Sequence, residues 1–244
     1  MFGMGVRAVL RAIVFDFDGL SLDTELPIYR SWLEVYTAHG QELPFERWIL
    51  TVGSNNAAFD PRSNLEALLG RVLPQEVLDE RMRRRTEMVL AEAILPGVAE
   101  LAAAAREAGL KTGVASSSSH SWVDAHLERL GIRHLFDCVL CRDDVAAVKP
   151  APDLFLAAAL CLGVRPEETV AIEDSPNGVL AARTAGMRSV AVPNTLTSDQ
   201  DLSLADLKVE SLAGVSPAQL AAKLGFTVLR CESASSPAEE TRPA

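Results

Sequence analysis

Short apolar segments alternate with longer amphipathic segments along most of this chain. Five almost wholly apolar runs suit strands buried on both faces of a parallel sheet, and they lie at 12–15, 110–115, 138–141, 169–172 and 189–192. The segments between them have helical periodicity and end at glycine, which closes the last turn of a helix. The four predicted helices span 98–108, 122–130, 153–162 and 177–185. This repeat of strand and helix predicts a doubly wound, Rossmann-like α/β core with a parallel sheet.

Residues 24–94 interrupt this alternation with amphipathic helical pattern and no convincing strand. Examples of the helical pattern are 28–39, 63–69 and 76–94. A segment of this length is too long for a loop in a compact domain. We therefore expect a small helical domain inserted between two parts of the core, at 1–23 and 95–230. Residues 231–244 are rich in Ser, Pro and Glu and are predicted to form a disordered tail.

The overall composition excludes several classes of protein. The chain has 244 residues, of which 48% are hydrophobic and 23% charged, so a disordered chain is excluded. Its formal net charge of −10 repels nucleic acid and anionic lipid, and neither is expected as a partner. No apolar run has the length of a membrane span, and the N-terminus lacks the pattern of a signal peptide. We expect a cytoplasmic protein that is a monomer or a weak homodimer.

The cysteines lie at irregular spacing, at Cys138, Cys141, Cys161 and Cys231. Cys138 and Cys141 form a C-x-x-C pair, which raises a redox or zinc role. However, no second pair of cysteines or histidines completes a zinc site, and positions i and i+3 of a strand face opposite sides. We therefore predict reduced, buried thiols, which are typical of a cytoplasmic protein.

Polar residues follow each of the first four predicted strands. In chain order they are Asp16 with Asp18, serines 116–119, Lys149, and Glu173 with Asp174. Ligands bind at the carboxyl ends of the strands in open α/β sheets, so we expect these side chains to converge. Paired aspartates can serve as nucleophile and acid/base, serines before a helix and a lysine can hold phosphate, and further carboxylates suit Mg²⁺. Each element alone is more often a helix cap or a loop, but four in this order point to phosphoryl transfer.

These residues form motifs that resemble those of the phosphatases of the haloacid dehalogenase superfamily. The four motifs of that family read here as Asp16-Phe17-Asp18-Gly19, Ser116, Lys149-Pro150 and Glu173-Asp174-Ser175. The flanking sequence Leu95-Pro96-Gly97-Val98 matches as well, and the resemblance covers roughly residues 10 to 210. The inserted helical segment is similar to the small cap shared by β-phosphoglucomutase and phosphoglycolate phosphatase.

The resemblance implies a phosphatase that acts on a small phosphorylated metabolite, such as a sugar phosphate. Asp16 would attack phosphorus and form an aspartyl-phosphate. Asp18 would protonate the leaving oxygen and then activate the water that hydrolyses the intermediate. Ser116, Ser117 and Lys149 would hold the phosphoryl group.

The resemblance also implies Mg²⁺ as the cofactor. Its ligands would be the Asp16 carboxylate, the Asp18 backbone carbonyl and Asp174, with Glu173 as a further candidate. Together with Lys149, the ion would supply positive charge inside a protein whose net charge is negative.

The inserted segment would select the substrate by closing over the phosphate site. Candidate substrate contacts are Asn56 in the loop 53–56, Glu25 and Arg62, although residues of this kind are more often turn or surface residues. A basic cluster on a predicted helix is interpreted as a solvated face, because acidic residues lie nearby. It consists of Arg81, Arg83, Arg84 and Arg85.

Other functions stay open from the sequence. A phosphomutase of the β-phosphoglucomutase type would carry a cap histidine where this chain has Ile28, and the loop 53–56 lacks the arginine of that mutase. A non-enzymatic phospho-receiver module is disfavoured by the inserted segment and by Asp18. An inactive binding protein is a third alternative, but every motif residue is present.

Overall fold

A single parallel sheet forms the centre of the computed structural model, which describes residues 8–52 and 59–227. Its strands are β1 (Ala12–Phe15), β2 (Lys111–Ala115), β3 (Cys138–Leu140), β4 (Thr169–Glu173), β5 (Arg188–Ala191) and β6 (Leu207–Lys208). Their spatial order is β3-β2-β1-β4-β5-β6, and all neighbouring pairs are parallel. The predicted doubly wound α/β fold is confirmed. The edge strand β6 was not predicted, because two residues are too short to show a strand pattern.

Helices cover both faces of the sheet and fill the insertion after β1. In chain order they are α1 (Glu25–Ala38), α2 (Phe45–Trp48), α3 (Pro61–Leu69), α4 (Gln75–Ala91), α5 (Val98–Glu107), α6 (His120–Arg129), α7 (Asp153–Leu162), α8 (Pro176–Thr184) and α9 (Pro217–Leu224). The four predicted core helices are α5 to α8, with ends that differ from the prediction by no more than two residues. Within the described ranges, every helix is too short or too polar to cross a membrane.

The central strand β1 is buried on both faces, as its apolar sequence predicts. Ile13 and Phe15 pack into one hydrophobic cluster with residues of α5, α6 and α9. Ala12 and Val14 point the other way, into a cluster with residues of α7 and α8. Successive strand residues face opposite sides, so an uninterrupted apolar run is what a strand between two helical layers requires.

The inserted segment, residues 24–94, is called the cap segment below. Its helices α1 to α4 surround a separate hydrophobic cluster that includes Trp32, Tyr36 and Leu65. The chain leaves and re-enters the core side by side, since Leu22 pairs with Ile94 in an antiparallel bridge. The cap segment therefore has a hydrophobic cluster of its own, to which the core adds Leu196, while Val89 of α4 packs into the core cluster. Two adjacent stretches of chain connect the cap segment to the core.

The structure contradicts the predicted redox state of two cysteines. Cys138 of β3 and Cys161 of α7 form a disulfide, so the prediction of reduced thiols is wrong for this pair. Cys141 is free and buried as predicted, and it lies in the cluster on the opposite face of the sheet from Cys138. Cys231 and the predicted tail lie outside the described residues. Since disulfides are typical of oxidising compartments, the cysteines no longer support a cytoplasmic location.

Candidate active site

The predicted functional residues meet at the carboxyl edge of the sheet. Asp16 follows β1, Ser116 follows β2 and Asp174 follows β4, and these three strands are neighbours. The strand order reverses at β1, the place where doubly wound sheets bind ligands. A cavity of about 460 Å³ opens there. Of the predicted site residues, Asp16, Asp18, Ser116, Ser117, Lys149 and Asp174 line it.

Lys149 joins two carboxylates at the base of this cavity. Its Nζ contacts Asp16 Oδ1, lies 2.6 Å from Glu173 Oε1 and donates to the Ala115 carbonyl oxygen over 2.7 Å. Although burial disfavours the charged amine, Asp16 and Glu173 raise the pKa of Lys149. Burial also raises the pKa of Asp16 to about 8, with Lys149 opposing that rise. Lys149 is therefore a cation that needs its carboxylate partners to stay buried.

Glu173 is fully buried and does not line the cavity. Its carboxyl group packs against Gly178 in the first turn of α8, where a Cβ would lie 1.9 Å from it. The Ser175 hydroxyl donates to Glu173 Oε2 over 3.3 Å. These contacts hold the Glu173 carboxyl group beside Lys149, with which it forms an ion pair.

Asp174 is held by a residue that the sequence prediction did not include. The Asn194 side-chain amide donates to Asp174 Oδ2 over 2.8 Å and to the Gly19 carbonyl oxygen over 3.0 Å. Gly19 has φ of +83°, and a Cβ there would lie 2.4 Å from Asp174 Oδ2. Only glycine allows this close approach. Burial and the neighbouring charges of Asp16 and Glu173 raise the pKa of Asp174 well above its usual value.

Hydrogen-bond donors surround the Asp18 carboxylate on both oxygens. Oδ1 accepts from Thr24 Oγ1 and from Trp122 Nε1, each over 2.9 Å. Oδ2 accepts from Ser118 Oγ over 2.6 Å and from Ser116 Oγ over 3.2 Å. The Asp18 side chain is thus oriented by the start of α1, by the loop after β2 and by α6.

The acidic residues of the site fit a divalent cation. One carboxylate oxygen from each of Asp16, Glu173 and Asp174 lies within 4.8 Å of the others, and all three side chains are buried. Asp18 and Glu25 add further carboxylates to the cavity wall, whereas Lys149 is the cation that forms ion pairs with Asp16 and Glu173 among the described residues. Burying such an excess of negative charge costs free energy unless another cation compensates it. Oxygen ligands of this kind suit Mg²⁺, so the residues fit the predicted metal.

Of the predicted substrate contacts in the cap segment that the structure describes, one lines the cavity. Glu25 lines the cavity, where burial, Asp18 and Asp23 raise its pKa to about 7. Arg62 does not line it and instead forms an ion pair with Glu66 on the surface of α3. Asn56 lies outside the described residues.

The basic cluster of α4 divides into two kinds of residue. Arg83 and Arg84 form ion pairs on the surface, as predicted. The prediction is wrong for the other two. Arg81 is buried against the Trp32 ring at 4.4 Å, and Arg85 lines the active-site cavity over the Trp122 ring at 5.1 Å. The residues that were missed share one helical face at spacing i, i+4.

Three comparisons with known proteins agree with this geometry. A model of haloacid dehalogenase-like hydrolases matches residues 10–186. The chain is 42% identical over 206 residues to "Putative phosphatase YhcW" from Bacillus subtilis, which covers 84% of this chain and 93% of that protein. It is 33% identical over 209 residues to hexitol phosphatase B from Escherichia coli, covering 84% and 94%. The crystal structure of CbbY from Rhodobacter sphaeroides in complex with phosphate has a TM-score of 0.66 at 31% identity, covering 87% and 99%.

Proposed function

Because this chain belongs to the haloacid dehalogenase-like hydrolase family, we propose that it is a Mg²⁺-dependent phosphatase of small phosphorylated metabolites, with sugar phosphates as the preferred class. The observation that carries this proposal is the meeting of Asp16, Asp18, Ser116 and Lys149 in one cavity. The similarity to hexitol phosphatase B supports the choice of substrate class.

In the first half of the reaction, a carboxylate oxygen of Asp16 attacks the phosphorus atom of the substrate. A bond forms between this oxygen and phosphorus, and the bond from phosphorus to the leaving oxygen breaks. Asp18 gives its proton to the leaving oxygen, which departs as an alcohol. The product on the protein is an aspartyl-phosphate at Asp16.

In the second half, a water molecule attacks the same phosphorus atom. Asp18, now a carboxylate, takes a proton from that water, so it is again protonated at the end of the cycle. The bond between phosphorus and the Asp16 oxygen breaks, which releases inorganic phosphate and restores the Asp16 carboxylate. Asp18 thus serves as acid in one step and as base in the other.

The phosphoryl group needs positive charge and hydrogen-bond donors around its oxygens. Lys149, the Ser116 hydroxyl and the backbone N–H groups near Ser117 would supply them from the core. Mg²⁺ would be held by Asp16, Asp174 and the Asp18 carbonyl, and when bound it neutralises carboxylate charge beside the phosphoryl oxygens. Glu173 would act through Lys149 as a positioning residue.

The cap segment would contact the leaving group. On its side of the cavity lie Glu25, Ile28, Thr51 and Arg85. Their carboxyl, hydroxyl and guanidinium groups can form hydrogen bonds to the hydroxyl groups of a sugar or polyol. Ile28 lies on this wall and cannot exchange protons, which favours hydrolysis over a mutase reaction.

Phosphate release from a panel of phosphorylated metabolites, with Mg²⁺ and with EDTA, tests the proposal. We expect release that depends on Mg²⁺ and is fastest with a few sugar or polyol phosphates. Isomerised sugar phosphate in place of free phosphate would indicate a mutase. An aspartyl-phosphate that persists for minutes without turnover would indicate a receiver module.

A further inference from the structure

The indole of Trp122 makes a directional contact that the reaction described above leaves unexplained. Trp122 lies in the first turn of α6 and is partly buried in the cavity wall. Its Nε1–H donates to Asp18 Oδ1 over 2.9 Å. A tryptophan at the rim of a polar cavity could leave its N–H to water, but here the N–H is directed at the acid/base residue.

The ring of Trp122 is held from two sides. The imidazole ring of His126, one turn further along α6, meets it edge-on with centroids 4.4 Å apart. The guanidinium group of Arg85 lies 5.1 Å from the ring centroid on the side of the cap segment. Core and cap segment therefore both restrict the direction of the indole N–H.

The contact distinguishes the two oxygens of Asp18. An indole N–H can only donate, so Oδ1 is an acceptor wherever this hydrogen bond forms. The partners of Oδ2 are the hydroxyl groups of Ser116 and Ser118, which can donate or accept. Oδ2 is thus the oxygen that can carry a proton without losing its partners.

We propose that Trp122 is a positioning residue that holds Asp18 Oδ1, so that Oδ2 faces the reacting group. This inference rests on the proposed function, in which Asp18 acts as acid and then as base. Without the indole N–H, the Thr24 hydroxyl is the donor that remains of the two on Oδ1. The Asp18 carboxylate then gains freedom to rotate, and both chemical steps become slower. We expect substrate affinity to stay unchanged when only the N–H is lost and an aromatic ring remains beside Arg85, because the N–H acts through Asp18.

A second pair of the same kind provides a matched control. Arg81, one turn before Arg85 on α4, stacks on the Trp32 ring at 4.4 Å. Trp32 packs in the hydrophobic cluster of the cap segment and does not line the active-site cavity. Each of the two tryptophans packs against its own arginine of α4, but Trp122 alone of the two donates to Asp18.

Steady-state kinetics of Trp122→Phe and Trp32→Phe with the best sugar phosphate test the proposal. Phenylalanine keeps an aromatic ring for Arg85 and His126 but removes the N–H. For Trp122→Phe we expect kcat to fall about tenfold, as for the loss of a hydrogen bond to a charged group, with KM unchanged. Trp32→Phe keeps the wild-type kcat. Unchanged kcat in Trp122→Phe, or a loss confined to KM, overturns the proposal.

A measurement that needs no turnover separates this inference from the proposed function. The chain has three tryptophans, so ¹⁵N-labelled protein gives three indole N–H signals. The signal missing from Trp122→Phe identifies Trp122, and we expect it to shift in Asp18→Ala while those of Trp32 and Trp48 stay in place. If the wild type releases no phosphate from any ester, the proposed function fails, yet this shift still supports the positioning of Asp18. A Trp122 signal that does not move overturns it.

Discussion

The carboxyl edge of the sheet and helix α4 of the cap segment both contribute polar or charged side chains to one cavity, but they do so differently. At the sheet edge, Asp16, Ser116 and Asp174 each follow a buried strand directly, and parallel neighbours on both sides hold those strands. On α4, Arg85 comes from the interior of the helix and reaches the cavity across the boundary between cap segment and core.

The two regions therefore position their side chains with different precision. A side chain at a strand end is positioned by the hydrogen bonds of the sheet, so the reacting groups are placed with little freedom. A side chain on α4 is positioned by how the cap segment packs against the core. We therefore expect changes at the sheet edge to act on the chemical steps or on metal binding, and changes on α4 to act more on substrate affinity than on the chemical steps.

The largest effect is expected from Asp16→Asn. The amide is a poor nucleophile, so kcat should fall by about four orders of magnitude or more, and no phosphoenzyme should form. Phosphate release and acid-quench trapping of the phosphoenzyme measure both effects. Near-normal turnover in this variant would contradict the nucleophile role, provided that the circular dichroism spectrum matches the wild type.

A smaller effect at the same edge is expected from Asn194→Ala. Asn194 donates to Asp174 Oδ2, so its loss should weaken the apparent affinity for Mg²⁺ by about 10- to 100-fold, with kcat recovered at saturating metal. Phosphate release as a function of free Mg²⁺ measures this. Asn64→Ala, which removes an amide within the cap segment, serves as the control and should leave the metal dependence unchanged. If Asn194→Ala has the same metal dependence as Asn64→Ala, then Asp174 is not a Mg²⁺ ligand that depends on Asn194.

On α4, Arg85→Met is expected to raise KM about tenfold or more, because the variant loses a charged donor on the cavity wall that is proposed to contact the leaving group. Arg83→Met is the matched control, since Arg83 lies on the same helix and pairs with Glu80 and Glu87 at the surface. Its KM should equal that of the wild type. If both variants have the wild-type KM, the cap segment does not use α4 to bind substrate.

The smallest effect concerns the stability of the metal-free protein. The pKa of Glu25 rises from its ordinary value of 4.5 to about 7 because of burial and of Asp18 and Asp23, while Arg85 opposes the rise. A raised pKa in the folded state means that stability is highest below the ordinary pKa and is lost as pH rises through the folded value. Asp16, whose pKa is about 8, acts in the same direction.

Glu25→Gln removes one titrating group and should therefore reduce this loss. Urea unfolding in EDTA at about pH 5 and about pH 8 gives the free energy of unfolding at each pH. We expect the decrease from the lower to the higher pH to be smaller in Glu25→Gln than in the wild type. An identical decrease in both proteins would show that Glu25 is not the group that titrates.

Much of the core could be predicted from the chain because its signals are local. Apolar runs such as 169–172 mark strands, and the polar residue after each strand lies at the edge where parallel strands end together. Asn194 follows the fifth strand and could have been included by the same reasoning. Trp122 could not, because nothing in its neighbours shows which way the indole points.

The basic cluster of α4 shows what helical periodicity alone does not predict. Arg81 and Arg85 are four residues apart and lie on the face of α4 that also carries the buried Val89. This spacing distinguishes them from Arg83 and Arg84, but it does not tell a buried cation from one in a cavity. The two arginines differ in the ring that each contacts. Arg81 packs on Trp32 of α1, and Arg85 packs on Trp122 of α6.

The sequence by itself determined the parallel α/β core, the helical insertion and the set of strand-end residues. The spacing of apolar residues that marks a buried strand or an amphipathic helix is visible within a few neighbouring residues of the chain. Only the tertiary structure decided that Cys138 meets Cys161, that Glu173 turns towards Lys149 and that Arg85 reaches the cavity. These contacts join residues from separate elements, and their geometry follows from how helices pack on the sheet and on each other.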